Sequence, residues 1–344
     1  MAIFDRESLV QQLQRHWAFG ERFVLAWTLA RDVIQVLLLP RDAYLELRRS
    51  NPLSWTQPLA HTPDAWAALR AQHAESARVV RCVCAGALGR SQRHNLDALI
   101  ARYAVTLSPP RPVLLFDLAG FTLLGPTDQL LHLAALERAL SEAEDCLTRH
   151  DHPLALRRTT TGDGFYVWDD APTAPAESRL LALLLLTIAS FRRQGAELGF
   201  GSDALKVCAG IGRYWHMHRI EHGQPQADGY IVGEITIELA RLMAECAPGH
   251  VLLALGHQGQ NLPRLAKAVV EANRWVRLCD SASGQAIQAK LAAKPKPGGG
   301  LAPAVQLFRA KHGWVYRALE LALRCTAVAG PDRTRSAPLA APRG

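Results

Sequence analysis

From residue 1 to about 105, apolar positions recur at three- and four-residue intervals, first in Ser8–Trp17 and again from Ala65 to Tyr103. No alternation of strand type breaks that spacing, so 1–108 is expected to be a helical N-terminal region. Phe23–Leu39 is strongly apolar but is interrupted by Arg31 and Asp32 and ends at Pro40. Leu180–Phe191 is too short to cross about 30 Å of hydrocarbon. Both read as core helices, and no membrane partner is expected. Ser108–Pro112 then carries three prolines. Each fixes its own φ and pushes the preceding residue out of the α region, which makes a stiff connector and a domain boundary.

Beyond the boundary the pattern changes. Val113–Asp117 is a short apolar run ending in a carboxylate, as in a buried strand, and Gln129–Leu147 is an amphipathic helix. Leu154–Thr160 and Gly164–Trp168 bracket Thr161-Gly162-Asp163-Gly164, a hairpin signal. Leu180–Arg193 predicts a helix, Leu205–Gly212 a strand and Glu234–Cys246 a further helix, with later strands at Val251–Leu255, Trp275–Cys279 and Val305–Leu319. Strand, helix, hairpin, helix, strand is the order of a ferredoxin-like sandwich, so the fold class is α/β of the α+β kind. The domain is expected over 109–325, with Lys294–Pro303 a flexible insertion and 326–344 a disordered tail.

Composition adds limits. With 344 residues, 49% of them apolar and 20% charged, the chain has enough material for a full core. Its net charge of +8 comes from scattered Lys and Arg rather than one basic stripe, so no nucleic-acid partner is expected. Seven cysteines, at 82, 84, 146, 208, 246, 279 and 325, show neither CxxC spacing nor a dense disulfide pattern. Reduced, buried thiols in a cytoplasmic setting are the simplest account. The start, MAIFDRESLV, lacks the basic-then-apolar order of a secretory signal.

Two carboxylates stand where a backbone can aim them at one point. Asp117 closes an apolar strand, and Asp163 sits in the turn of the next hairpin, which a ferredoxin-like sheet places beside that strand. Hard oxygen ligands at such an edge suit Mg²⁺ or Mn²⁺ shared with substrate phosphates. Gly120 lets the chain approach phosphates closely, and the amides from Ala119 to Thr122 are donors for their oxygens. Taken singly, each aspartate is more often an ordinary turn residue, and the two together mean more.

These residues carry a resemblance. Leu115-Phe116-Asp117-Leu118-Ala119-Gly120-Phe121-Thr122 resembles the first metal motif of the class III adenylyl and guanylyl cyclases, and Thr160-Thr161-Gly162-Asp163-Gly164-Phe165 resembles their second. Val207–Gly212 is similar to the family strand that ends in a Gly-Ile pair. Gly233–Arg241 is similar to its glycine-to-arginine helix, and Ala310–Gly313 falls where the family often has a triphosphate-facing lysine. The resemblance implies a cyclase that converts a nucleoside triphosphate to a cyclic monophosphate with two divalent cations, Mn²⁺ or Mg²⁺. It implies Asp117, Asp163 and the Leu118 carbonyl as metal ligands, Gly120, Phe121, Thr122 and Lys311 on phosphates, and Arg241 on the charge developing at the transferred phosphoryl group. Arginine suits that task by its planar, permanently charged fork. Because such enzymes place metals and arginine of one site on two domains, a head-to-tail homodimer is implied.

The sequence also departs from the family. Purine enzymes read adenine with a lysine three residues before the second motif's Gly-Asp unit and an aspartate on the strand before the helix. Here those positions hold Thr159 and Tyr230, with Asp228 in the aspartate position if the strand shifts by two, while the usual helix asparagine falls on Ile237, with Thr236 or Glu238 one residue away. Base reading by hydrogen bonds is selective, so loss of the adenine pair removes the reason to prefer ATP. In this the chain is similar to the pyrimidine cyclases of the Pycsar antiphage systems, which make cyclic CMP or cyclic UMP. An ordinary cyclase with a divergent base pocket and an inactive nucleotide-binding module remain the alternatives, whereas a diguanylate cyclase would read Gly-Gly-Asp/Glu-Glu-Phe at the hairpin. His216 and His218 share a strand face and invite a zinc reading, set against a surface hairpin. Trp17, Trp27, Trp55 and Trp66 read as core residues.

Overall fold

The computed structural model describes residues 4–51, 54, 57–170, 176–201, 203–221, 224–283, 285–295, 301–309 and 313–327. The chain forms two compact units, Met1–Pro109 with Arg213–Gly233, and Pro110–Gly212 with Glu234–Gly344. The division therefore places 213–233 with the N-terminal residues rather than within the 109–325 stretch.

The first unit opens with α1 (Arg6–Trp17), which Asp5 caps by accepting the Ser8 amide at 3.0 Å. It continues through β1 (Arg22–Ala30), β2 (Val33–Pro40), α2 (Arg41–Ser50), α3 (Pro63–Gln72), β3 (Arg78–Val83) and α4 (Arg90–Ala101). The sheet runs β1-β2-β3, antiparallel throughout. This corrects the helical expectation for Phe23–Leu39, and β3 corrects it for Arg78–Val83 within Ala65–Tyr103. The segment is a hairpin whose two loop residues, Arg31 and Asp32, both take positive φ, at 48° and 58°. Such φ values are what a two-residue hairpin loop demands, and burial of the mid-strand residues without alternation hides the strand period. Trp17, Trp27 and Trp66 are buried as expected, with the Trp27 indole donating to Asp97 at 2.7 Å. Trp55 lies outside the described residues.

The second unit starts with β4 (Arg111–Leu118), α5 (Pro126–Arg149), β5 (Leu156–Thr160), β6 (Gly164–Asp169), α6 (Ala176–Leu198) and β7 (Leu205–Gly212). These strands stand in the order β7-β4-β6-β5, all neighbours antiparallel. That order, joined by two helical crossovers, is the ferredoxin-like arrangement the sequence predicts. The chain then leaves for β8 (Trp215–Glu221) and β9 (Gln224–Val232), a hairpin of the first unit. There Leu107 bridges Trp215, and the Ser108 amide donates to the Tyr214 carbonyl at 2.9 Å.

On return it forms α7 (Glu234–Glu245), β10 (Val251–Ala254), α8 (Leu262–Ser283), β11 (Gln285–Leu291), β12 (Ala293–Pro295), β13 (Leu301–Pro303), β14 (Val305–Arg309) and β15 (Val315–Ala327). Strand β10 joins β7 in parallel and extends the sheet through β15 to β11. Trp275–Cys279, expected as a strand, belongs to α8. Its buried residues Leu265, Ala268, Ala272, Val276 and Cys279 keep helical spacing, and a five-residue window is too short to reveal it. Within 294–303, the described ends pair as β12 and β13, and 328–344 lie outside the described residues. No helix among the described residues is long and apolar enough to cross a membrane.

Alternation sorts the second unit's sheet into two faces. Leu114, Phe116, Leu118, Phe165, Val167, Leu205 and Val207 enter the core under α5, α6 and α8. Leu115, Asp117, Tyr166, Lys206 and Cys208 point to the other face, where α7 packs. The far end of β6 is anchored by Asp169, which is fully buried and accepts from Arg179 at 2.9 Å and from the Ala155 amide at 3.0 Å.

Candidate active site

The antiparallel pairing of β4 with β6 brings the end of one strand beside the start of the other, with Asp117 directly opposite Gly164. Glycine at 164 is a requirement of that approach, because a Cβ there would lie 1.9 Å from the Phe116 carbonyl oxygen. The Asp163 carbonyl accepts the Leu118 amide at 3.0 Å, so the hairpin turn is tied to the strand next to Asp117. Gly162, at φ 105°, turns the chain, and its amide donates to the Thr160 hydroxyl at 3.0 Å.

The pairing thus sets Asp117 and Asp163 side by side at one sheet edge. The Asp117 carboxyl is pushed above its ordinary value, first by burial and further by Asp163, against the pull of Lys206. Lys206 stands opposite Asp117 on β7, with its Nζ 2.5 Å from Asp117 Oδ2. Two carboxylates facing one ammonium leave a net negative charge in a partly buried corner. That donor set fits hard divalent cations, which share carboxylates with phosphate oxygens.

Immediately after β4, Gly120 adopts φ 68° and starts a 3₁₀ turn over Phe121–Leu123. Gln129 of α5 pins it by donating to the carbonyls of Phe121 at 3.1 Å and Leu124 at 3.2 Å. The first amides of such a turn, at Phe121 and Thr122, have no partner within it. Ala119 differs from expectation, because its amide donates to the Ala204 carbonyl at 2.7 Å and is already used. Phe121 packs partly into the core, whereas Gly120 and Thr122 are exposed.

The other expected site residues are distributed differently. Thr159 lies on β5 opposite Tyr166, and so shares the Asp117 face of the sheet. Tyr230 belongs to the first unit, on β9 opposite Met217, and is 45% exposed. Arg241 is exposed on α7, on the same stripe as Ile237, itself 54% exposed. Lys311 lies outside the described residues. His216 and His218 do share a strand face, with rings stacked at 5.0 Å, but no third ligand joins them among the described residues.

Three residues of this face were not singled out as site members from sequence. Lys206 has the clearest signal, a cation inside an otherwise apolar strand. Tyr166 donates its hydroxyl to the Thr236 carbonyl at 2.9 Å and ties β6 to α7. Glu238, weighed from sequence only as a stand-in for the helix asparagine, is a half-buried carboxyl raised to about 7 by burial, then by Glu234, against a hydrogen bond from the Gly256 backbone.

No family model matches the chain, and no curated protein matches it. Among solved structures the chain is similar to the guanylyl cyclase Cya2, at 15% identity and a TM-score of 0.40 over 67% of this chain and 98% of that one. It is also similar to the guanylate cyclase domain of RhGC from Catenaria anguillulae in complex with GTP, at 13% identity and a TM-score of 0.39 over 64% and 99%. The adenylyl cyclase CyaB from P. aeruginosa shows 12% identity and a TM-score of 0.37 over 63% and 95%. Likeness of that size decides neither family nor activity.

Proposed function

We propose that this chain is a metal-dependent nucleotidyl cyclase of class III type, with its catalytic region over 109–325, and that its substrate is a pyrimidine nucleoside triphosphate, UTP or CTP. The observation that carries the reading is the pairing that sets Asp117 opposite Gly164 and ties the Asp163 carbonyl to the Leu118 amide, which brings both aspartates to one sheet edge beside the Gly120 turn. When bound there, two Mn²⁺ or Mg²⁺ ions supply charge neutralisation for the attacking ribose oxygen and the departing pyrophosphate. Asp117, Asp163 and the Leu118 carbonyl hold them. Lys206 pairs with Asp117 and so fixes the orientation of its carboxyl.

Phosphate oxygens are received by the turn at Gly120, Phe121 and Thr122 and by Lys311. Arg241, exposed on α7, meets the reacting phosphoryl group of a second copy, and a homodimer with two equivalent sites results. The base is read by Thr159 and Tyr230. The absence of a lysine and an aspartate at those positions supports a pyrimidine over adenine. A cyclic pyrimidine nucleotide so produced suits a second messenger in antiphage defence within a cytoplasm.

Ile237 favours a second reading, nucleotide binding without turnover, because an apolar side chain stands exposed where the resemblance expects an asparagine. Purified protein incubated with Mn²⁺ and each of the four ribonucleoside triphosphates, with products identified by mass, separates the cases. Cyclic CMP or cyclic UMP supports the proposal. Cyclic AMP or cyclic GMP alone overturns the pyrimidine assignment, and nucleotide binding with no product overturns the catalytic one.

A further inference from the structure

Away from the carboxylate corner, the end of α5 and the last turns of α8 bring three soft donor groups together. Cys146 lies in the last turn of α5 and His150 is its C-cap residue. Their four-residue spacing stacks them on one helix face. Cys279 enters from α8. His150 Nδ1 is 3.6 Å from Cys279 Sγ and 4.0 Å from Cys146 Sγ, and the three ligand atoms all lie within 4.8 Å of one another. Neither cysteine is in a disulfide, and both are buried, whereas His150 is half-buried and gives the cluster a side open to solvent.

We propose that Cys146, His150 and Cys279 form a binding site for one Zn²⁺ ion, separate from the Asp117 and Asp163 pair. Tetrahedral zinc with Zn–S near 2.3 Å and Zn–N near 2.0 Å sets S···N separations of roughly 3.6 Å and S···S separations of roughly 3.8 Å. The two S···N distances, 3.6 and 4.0 Å, stand close to the first value, and the two sulfurs, within 4.8 Å of each other, need only a side-chain adjustment to reach the second. Two thiolates and an imidazole are borderline-soft ligands that select zinc over Mg²⁺ or Mn²⁺, which want oxygen. His150 Nδ1 now faces the Cys146 carbonyl at 2.8 Å. Binding uses the tautomer with its proton on Nε2, gives up that contact, and releases the two thiol protons to solvent. The fourth position is left to water from the open side. The effect of the ion is to fasten the C-terminal end of α5 to α8, two helices that already pack together.

The test uses the full-length chain, purified under reducing conditions, stripped with chelator and then given Zn²⁺ alone. Metal analysis is expected to return about one zinc per chain, and the thermal midpoint is expected to rise with the logarithm of free zinc. Co²⁺ in place of zinc should give a thiolate-to-metal absorption band. Cys279→Ser and His150→Ala should each lose the bound zinc and the midpoint shift, whereas Asp117→Ala should keep both. Because the histidine is half-buried, its variant retains a readout if the cysteine variant fails to fold. Wild-type protein that binds no zinc and shows no midpoint shift overturns the proposal, as does zinc retained in full by both site variants.

Discussion

Gly164→Ala tests whether the close approach of the hairpin is what brings the carboxylates together. An added Cβ would sit 1.9 Å from the Phe116 carbonyl oxygen, 2.8 Å from its carbon and 3.0 Å from Asp117 Cα. All of these are backbone atoms, so no side chain can swing aside. To restore even 3.0 Å to the oxygen, β6 must retreat from β4 by about 1 Å at the residue next to Asp163. Displacement of that size in a positioned site costs on the order of 100-fold in turnover, and overpacking costs about 1–3 kcal/mol of stability. Gly162→Ala is the matched control. It meets nothing within 4 Å and suffers only from its φ of 105°, so its effect is a backbone strain of roughly 1–2 kcal/mol without displacement of the strand. Turnover and Mn²⁺ dependence should be measured with the nucleotide identified by mass, alongside thermal unfolding. If Gly164→Ala keeps wild-type turnover and Mn²⁺ dependence while folded, the convergence does not depend on this contact and the reasoning fails.

Asp117→Ala and Arg241→Ala should each be inactive alone, yet mixing them should restore up to about a quarter of wild-type activity, because half the dimers are mixed and each carries one intact site; a mixture as inactive as its components argues against sites shared between copies. Glu238 predicts a pH effect on stability rather than on chemistry. Its carboxyl, raised to about 7 from an ordinary 4.5, stays protonated in the folded chain where the unfolded chain has released its proton. The resulting stabilisation, at most about 3 kcal/mol, is complete below about 4.5, fades as pH rises, and is gone above about 7. Thermal midpoints of wild type and Glu238→Gln should therefore differ in their slope between pH 4 and 8, and parallel curves would refute the assignment.

The ferredoxin-like part of the second unit was legible because its elements keep clean periods. Strand β4 is a short apolar run, α5 is amphipathic, and glycines mark the β5–β6 turn. Segments buried without alternation were not legible, since β1 and β2 show a continuous apolar run and their turn uses Arg31 and Asp32 rather than the Asn-Gly pair that usually announces a hairpin. At the site, the aspartates were visible from spacing. Lys206 was not, because whether a lone lysine in a strand faces solvent or a carboxylate depends on the neighbour across the sheet. The Cys146 and His150 pair is readable as a helical spacing, but Cys279 lies 129 residues beyond His150 and only the packing of α8 delivers it.

The β8–β9 excursion gives the two units a double tether. Its exit from the second unit is at Gly212, six residues past Lys206 on the same strand, and its return is at Gly233, which immediately precedes the helix that carries Arg241. The two elements that flank the excursion in sequence are thus the strand that carries Lys206 and the helix that carries Arg241. Any truncation that begins after Pro109 would leave that excursion behind without Ser108, whose amide and hydroxyl both engage Tyr214. A boundary drawn at Pro109 therefore cuts through a unit that the chain completes only with Arg213–Gly233.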